Sequence, residues 1–276
     1  MNDLYRIDRI SENPYSNIKW RQEQIDEIIK LYTIDLLSIK KISTNYFHVH
    51  ENSIKKVLQK NNIHIRDKYE SRYLDGRRID IFSHIDTEEK AYWLGFIAAD
   101  GCVFKNYLKI TLQIGDIEHL RKFNKFLNSS LEISTDGKYC SYKIGCKQLV
   151  DDLKKHGVPE KKSLILKPPY FLTNPFLKKA WIRGYVDGDG GLSISKNNKR
   201  FSFYVTSTKE VLNWMTQELK INIKPFLEHR CINTYRIQAS GRQQVYKIAS
   251  TLYERSSVYL DRKYSIFKKM QFLLQQ

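Results

Sequence analysis

The 276-residue sequence lacks any run of about 18 apolar residues, the length that a membrane-spanning helix requires. Its first ten residues contain no apolar core of the signal-peptide type and carry Asp3 and Asp8, so we expect no export. Heavy use of Lys, Ile, Asn and Tyr is typical of AT-rich genomes. We therefore expect a cytoplasmic protein, in a bacterial or phage-infected cell or in an organelle.

Cysteine is scarce, and no two cysteines are spaced as a C-x-x-C pair. The seven histidines do not fall beside the cysteines, and His48 and His50 alone supply too few ligands for zinc. This pattern argues against a disulfide framework or a zinc site. We expect reduced, mostly buried thiols at Cys102, Cys140, Cys146 and Cys231.

Acidic residues are also few: 30 Asp and Glu stand against 47 Lys and Arg, which gives a net charge of +17. A surface this basic attracts polyanions, and nucleic acid is the first candidate because binding to phosphates releases counterions. An anionic membrane surface is less favoured, because the chain has no basic amphipathic helix. Charge alone leaves open a merely soluble basic protein.

Residues 18–68 have the pattern of a small helical domain, between a tail at 1–17 and a polar tether at 69–85. Apolar residues at helical spacing predict a first helix from Gln22 to Tyr32, and Ser38 is placed to cap a second. A third predicted helix covers 52–60. This arrangement resembles the helix-turn-helix domains of resolvases and transposases, although the stretch between Ile42 and Val49 is one residue longer than expected.

The helix-turn-helix resemblance implies that the third helix enters the major groove of DNA. Its polar residues would then contact the duplex, and the basic character of this helix favours that interpretation. The alternative is a small helical bundle that contacts protein. The residues expected at the DNA are Asn52, Ser53, Lys55, Lys56 and Gln59.

The rest of the chain repeats itself. The segment AYWLGFIAADG at 91–101 matches AWIRGYVDGDG at 180–190, and 109–114 aligns with 200–205. Helices are predicted after both aligned segments, at 116–127 and 208–219, and again at 147–156 and 242–254. We therefore predict an α+β fold of two pseudo-symmetric αββαββα repeats, at 86–170 and 171–276.

Each motif ends in an aspartate at the end of a helix. Gly95 and Gly184 lower helix stability, so we expect them where two helices pack closely. Asp100 and Asp189 would then lie at the negative ends of both helix dipoles, which is unfavourable unless a cation joins them. A divalent metal held by two carboxylates near DNA can support phosphodiester hydrolysis. The alternative is that each Asp-Gly only stops a helix.

The two motifs resemble those of the LAGLIDADG homing endonucleases in their single-chain form, over about residues 86–276. The resemblance implies a site-specific endonuclease that cuts both strands of double-stranded DNA with Mg²⁺ or Mn²⁺. Asp100 and Asp189 would bind the metal, assisted by the carbonyl groups of Ala99 and Gly188. The earlier acid position of the motif is Ala98 in one copy and Asp187 in the other, and is peripheral to the metals.

The resemblance also implies further catalytic residues. Gln113 would order solvent, and Tyr204 is its expected counterpart in the second repeat. Lys162 and Lys263 would assist at the phosphate, unless they only contact the DNA backbone.

Strand alternation places one polar face toward DNA, forming a saddle. Two unlike repeats imply a monomer and an asymmetric or imperfectly palindromic site. Two alternatives on this scaffold stay open: an RNA maturase and a regulator that binds DNA without cutting it. The saddle residues expected at DNA are Lys109, Thr111, Lys143, Arg200, Ser202, Tyr204, Arg236 and Gln238.

Overall fold

A computed structural model describes residues 3–7, 18–66, 77–229 and 232–275. The chain divides into two compact units, Met1–Gly76 and Arg77–Gln276. Most of the predicted tail, part of the predicted tether and Cys231 lie outside the described residues. The predicted boundaries between the repeats stay predictions. None of the described helices is both long and apolar enough to cross a membrane.

The described residues of the first unit form three α-helices: α1 (Gln22–Thr33), α2 (Ile39–Ile42) and α3 (Glu51–Lys60). The Ser38 hydroxyl accepts a hydrogen bond from the amide of Lys41, which confirms the predicted cap. The apolar faces of the three helices meet in one core. Its buried members are Ile28, Leu31, Tyr32, Ile42, Phe47, Ile54, Val57 and Leu58.

The extra residue noted between Ile42 and Val49 is accommodated by a π-helical turn. The chain passes from α2 directly into a π-helix at Ser43–Phe47, whose wider i→i+5 hydrogen bonds absorb one additional residue. The turn closes at His48, which adopts a left-handed conformation with a φ of 50°. The insertion therefore leaves Phe47 in the core, where it is 1% exposed.

The second unit contains the αββαββα order twice, as predicted. The first copy comprises α4 (Glu88–Asp100), β1 (Gly101–Phe104), β2 (Tyr107–Gln113), α5 (Ile117–Phe126), β3 (Ser134–Thr135), β4 (Tyr139–Gly145) and α6 (Lys147–Lys155). The second comprises α7 (Pro175–Asp189), β5 (Gly190–Ile194), β6 (Phe201–Ser207), α8 (Lys209–Glu218), β7 (Phe226–Leu227), β8 (Tyr235–Ser240) and α9 (Arg242–Tyr253). A further helix that we did not predict, α10 (Asp261–Gln275), follows.

Each copy forms an antiparallel four-stranded sheet, in the order β1-β2-β4-β3 or β5-β6-β8-β7. One face of each sheet packs against the helices of its own repeat, and the opposite face is polar. Inward side chains of β2 and β6 are buried as alternation predicts. They are Leu108, Ile110, Leu112, Phe201, Phe203 and Val205.

The two motif helices, α4 and α7, pack along each other. A Cβ atom on Gly95 would lie 2.0 Å from the carbonyl oxygen of Trp181, so only glycine allows this approach. A partly buried ion pair, Arg183 to Glu88 at 2.5 Å, also joins the two helices. Residues 91–99 of α4 are all buried, because the helix lies between its own repeat and α7.

The predicted alignment of residues 109–114 with 200–205, which lie in β2 and around the start of β6, was wrong by four residues. Gly101 pairs with Ile110 in the first sheet, whereas Gly190 pairs with Val205 in the second. Tyr204 is therefore the counterpart of Lys109, not of Gln113. The cause is the loop between β5 and β6, which spans residues 195–200, whereas residues 105–106 suffice between β1 and β2.

Candidate active site and nucleic-acid interface

Asp100 and Asp189 are the last residues of α4 and α7. The close packing of the helices brings their ends together: a Cβ atom on Gly188 would lie 2.4 Å from Ala99 Cβ and 3.3 Å from Asp100 Oδ2. The four residues predicted to hold a metal are therefore neighbours in space. The packing of the glycine-containing helices determines this arrangement.

Asp100 is half-buried and Asp189 is exposed, and the two carboxylates influence each other. Burial, and then the neighbouring charge of Asp189, raise the pKa of Asp100 to about 6, although Lys263 and Lys162 oppose the shift. Loss of water contact beside the packed helix ends also raises the pKa of Asp189, although its side chain is exposed, against the lowering effects of Lys162 and the Tyr185 hydroxyl. Both carboxylates are therefore harder to ionise than a free aspartate, mainly because they have lost part of their water contact.

The two predicted catalytic lysines contact the backbone at the helix ends. Lys162 Nζ donates to the carbonyl oxygen of Gly101 at 2.6 Å and is half-buried. Lys263 Nζ donates to three carbonyl oxygens, those of Val186 (2.6 Å), Asp187 (2.8 Å) and Gly190 (2.6 Å). An ammonium group has three N–H donors, so all the donors of Lys263 are engaged in these hydrogen bonds. The residue is only 1% exposed.

The two carboxylates differ in their neighbours. Tyr185 lies one helical turn before Asp189, and its hydroxyl also shares a hydrogen bond with Ser207 Oγ at 2.8 Å. The matching position before Asp100 is Phe96, which has no hydroxyl. The alignment of the two motifs contained this difference, but the hydrogen bond to Ser207 was not visible in the sequence.

Arg262 is a second residue near the site that sequence analysis missed. Its guanidinium pairs with Asp116 at 2.9 Å, and its positive charge opposes the rise in the pKa of Asp100. Its location depends on α10, which the sequence analysis did not predict.

Asp187, unlike Asp189, points into the core. Its carboxylate accepts hydrogen bonds from Tyr92 Oη (2.7 Å), Tyr253 Oη (2.6 Å) and the amide of Leu260 (2.8 Å). Ala98, at the same motif position of α4, is buried as well. The structure therefore places the earlier acid position away from the paired carboxylates.

The predicted DNA-binding residues of the first sheet share one exposed face. Lys109 and Lys143 lie directly opposite each other on β2 and β4, with Thr111 and Gln113 further along β2. Like charges directly across a sheet repel each other, so a bound anion would relieve this pair. The Lys143 ammonium also lies over the ring of Tyr107, 4.3 Å from its centroid.

The corresponding face of the second sheet is less basic. Tyr204, 41% exposed, lies opposite Gln238, and Ser202 is half-buried on the same face. Arg236 is already paired with Glu228 at 2.7 Å, and its guanidinium lies over the ring of Tyr204. Arg200 is exposed, just before β6.

In the first unit, the polar residues of α3 lie opposite its buried face. Asn52, Lys55, Lys56 and Gln59 are exposed, and Ser53 is half-buried. Ile54, Val57 and Leu58 fill the core from the other side. The predicted contact surface is therefore available to a partner.

The paired helix ends fit a hard divalent cation. No three His, Cys, Asp or Glu side chains of the described residues form a metal-binding group, so a cation here would take its side-chain ligands from the two aspartates alone. Within the same ranges, no hydrogen-bond or ion-pair partner contacts the Asp100 carboxylate. Magnesium is commonly held by one or two carboxylates, with substrate phosphates and water completing its shell.

The structure is similar to that of the LAGLIDADG homing endonuclease I-GzeII in complex with its DNA target. The TM-score is 0.50 at 14% sequence identity, and the match covers 66% of this chain and 88% of that one. The endonuclease I-LtrWI bound to target DNA matches with a TM-score of 0.49 at 12% identity, over 72% of this chain and 91% of that one. The first likeness confirms the predicted fold: two αββαββα repeats in the LAGLIDADG arrangement.

No protein-family profile matches the sequence. A replication factor C small subunit from Methanocaldococcus jannaschii is 28% identical over 192 residues. That match covers 63% of this chain but only 10% of the relative's length. Its name therefore says nothing about the activity of the matched segment.

Proposed function

We propose that this chain is a LAGLIDADG homing endonuclease that cuts both strands of a specific DNA duplex with Mg²⁺ or Mn²⁺. The observation that carries the proposal is the convergence of Asp100 and Asp189 at the adjoining ends of α4 and α7. This juxtaposition gathers two carboxylates where both helix dipoles are already negative. A divalent cation is the natural counter-charge.

The carboxylates of Asp100 and Asp189, with the carbonyl oxygens of Ala99 and Gly188, would hold the metal. When bound, a divalent cation supplies two things at a phosphodiester: it lowers the pKa of water and stabilises the departing oxygen. Lys162 donates to one acceptor among the described residues, so its other donors would contact the phosphate, whereas Lys263 would hold the end of α7 in place. Gln113 would order solvent on the first-repeat side.

The substrate proposal is supported by the polar sheet faces and by the net charge of +17. The facing lysines on β2 and β4 suit a duplex backbone, and the unlike face of the second sheet suits an asymmetric or imperfectly palindromic site recognised by a monomer. Exposed Lys55 and Lys56 of α3 would add contacts beyond the saddle, as a helix-turn-helix domain does. Joining two binding modules in one chain raises affinity through effective concentration.

Selection from a randomised double-stranded DNA library, followed by cleavage of the selected duplex in Mg²⁺, Mn²⁺ or EDTA, tests the proposal. The wild-type protein should cut both strands only with metal present. Asp100→Asn and Asp189→Asn should each abolish double-strand cutting and leave binding within a few-fold of wild type. Asp151→Asn, at an exposed carboxylate on α6, is the matched control and should cut normally.

Full-rate cutting by both active-site variants would overturn the assignment of the two aspartates. Specific binding without cutting would instead indicate a regulator. A strong preference for structured RNA over the selected duplex would indicate a maturase.

A further inference from the structure

Asp187 connects α7 to the start of α10. Its carboxylate is buried and accepts the amide of Leu260, the residue before α10, at 2.8 Å. Lys263, in the first turn of α10, donates in the opposite direction, to the carbonyl oxygens of Val186 and Gly190 in the last turn of α7 and just after it. The helix start and the motif end therefore hold each other through two separate sets of hydrogen bonds.

The hydroxyl groups of two tyrosines complete the environment of this carboxylate. Tyr253 donates from the end of α9 at 2.6 Å, and Tyr92 donates from α4, in the other repeat, at 2.7 Å. Tyr92 in turn meets His119 Nε2 of α5 at 3.0 Å. Both repeats thus converge on one buried acceptor.

We infer that Asp187 is a positioning residue: it fixes the start of α10 on α7, and thereby places Lys263 against the carbonyl groups beside Asp189. The inference rests on the proposed nuclease function for its kinetic consequence, but not for its structural one. In Asp187→Asn one of the two acceptor oxygens becomes an NH₂ donor, so at least one of the three buried groups that donate to it loses its acceptor and the first turn of α10 would loosen. Lys263 would then lose its hydrogen bonds to the carbonyl oxygens at the end of α7.

The first repeat has no equivalent of this anchor. Ala98 stands where Asp187 stands in the second repeat, and Lys162 belongs to a single 3₁₀ turn, Lys162–Leu164, rather than to a long helix. Within the part of the chain that the structure describes, its ammonium donates to one acceptor, the carbonyl oxygen of Gly101. The arrangement is therefore specific to the second repeat, and Asp187 serves only the lysine of that repeat.

Amide hydrogen exchange of the full chain tests the structural step. In Asp187→Asn, residues 260–264 should exchange at least tenfold faster than in wild type, with α5 and α6 unchanged. Asp152→Asn, at a buried carboxylate on α6, is the control and should leave residues 260–264 protected. If Asp187→Asn does not fold, Tyr253→Phe removes one donor and should give a smaller increase at the same residues. Unchanged exchange at 260–264 in the variant that folds would overturn the inference.

Cleavage of the selected duplex tests the kinetic step. Asp187→Asn should lower the rate at saturating DNA at least tenfold with a Kd within twofold of wild type. Because Asp187 acts through Lys263, the double variant with Lys263→Met should cut no more slowly than Lys263→Met alone. Additive losses would overturn the inference. A wild-type protein that does not cut would refute the proposed function, while the exchange experiment would still decide the role of Asp187.

Discussion

The backbone of Gly184 lies so close to Tyr92 that a Cβ atom on the glycine would stand 2.0 Å from the Tyr92 carbonyl oxygen. The obstacle is main chain, which cannot rotate away as a side chain can. Gly184→Ala should therefore push α4 and α7 apart and cost more than about 4 kcal/mol of unfolding free energy. Urea unfolding followed by circular dichroism measures this cost.

Gly115→Ala is the matched control, because nothing lies within 4 Å of a Cβ atom built there. Its unfolding free energy should stay within about 0.5 kcal/mol of wild type. A Gly184→Ala protein as stable as this control would contradict the close approach of the two helices.

The paired carboxylates should make the metal-free protein less stable at neutral pH. The pKa of Asp100 is about 6 when folded against an ordinary value of 3.8, so the folded chain binds this proton more tightly than the unfolded chain does. The penalty is absent below pH 3.8, grows as the pH rises and is complete above about 6. The difference corresponds to about 3 kcal/mol.

Asp100→Asn should therefore stabilise the metal-free protein at pH 7.5, by up to about 3 kcal/mol, and change little at pH 4. Urea midpoints in EDTA at the two pH values give the comparison. An equal gain at both pH values would show that burial of charge is not the cause.

The helix pair was predictable from sequence, whereas the correspondence of the strands was not. Gly95 and Gly184 occupy the same place in two copies of one motif, so their close packing follows from the repeat itself. The counterpart of Gln113 depends instead on the length of the loop between β5 and β6, which no motif marks. Because the error was an even number of residues, the inward and outward faces were still correct.

Long-range hydrogen bonds limited the prediction of the site. Asp187 meets Tyr253, Leu260 and Tyr92, which are 66, 73 and 95 residues away in sequence. Periodicity and spacing describe local structure, so they cannot separate a buried acceptor from a candidate metal ligand two residues later. For the same reason, the sequence did not indicate that Lys263 makes three hydrogen bonds to backbone carbonyl groups and Lys162 one, because this difference follows from the packing of α10.

That difference predicts unequal effects of removing the two ammonium groups. Lys263→Met leaves three carbonyl oxygens without their donor, and should cost about 2–3 kcal/mol of unfolding free energy. Lys162→Met loses one hydrogen bond at a half-buried position, and should cost about 1 kcal/mol or less. Its cleavage rate should nevertheless fall roughly 100-fold, as when a donor to a developing negative charge is removed.

Urea unfolding and single-turnover cleavage of the selected duplex separate the two effects. Equal losses of stability in the two variants would contradict the difference in their hydrogen bonding. A Lys162→Met protein that cuts at the wild-type rate would exclude this lysine from the reaction.

The exposed face of α3 predicts a salt-dependent contribution to DNA affinity. Lys55 and Lys56 lie on the exposed side of a helix whose other side is core, so each is free to meet a phosphate. Replacing both with alanine should reduce the slope of log affinity against log salt by about 1.8, because each phosphate contact contributes about 0.9. The cleavage rate at saturating DNA should not change, since these residues belong to the first unit and the paired aspartates to the second.

Fluorescence anisotropy of the selected duplex across a range of salt concentrations measures this slope. Lys30→Ala, on α1 and paired with Glu27, serves as the control and should leave the slope as it is. If the double variant keeps the wild-type slope, the polar side of α3 does not contact DNA. That result would favour the small protein-binding bundle that the sequence also allowed, and under the proposed function the sequence specificity would come from the saddle alone.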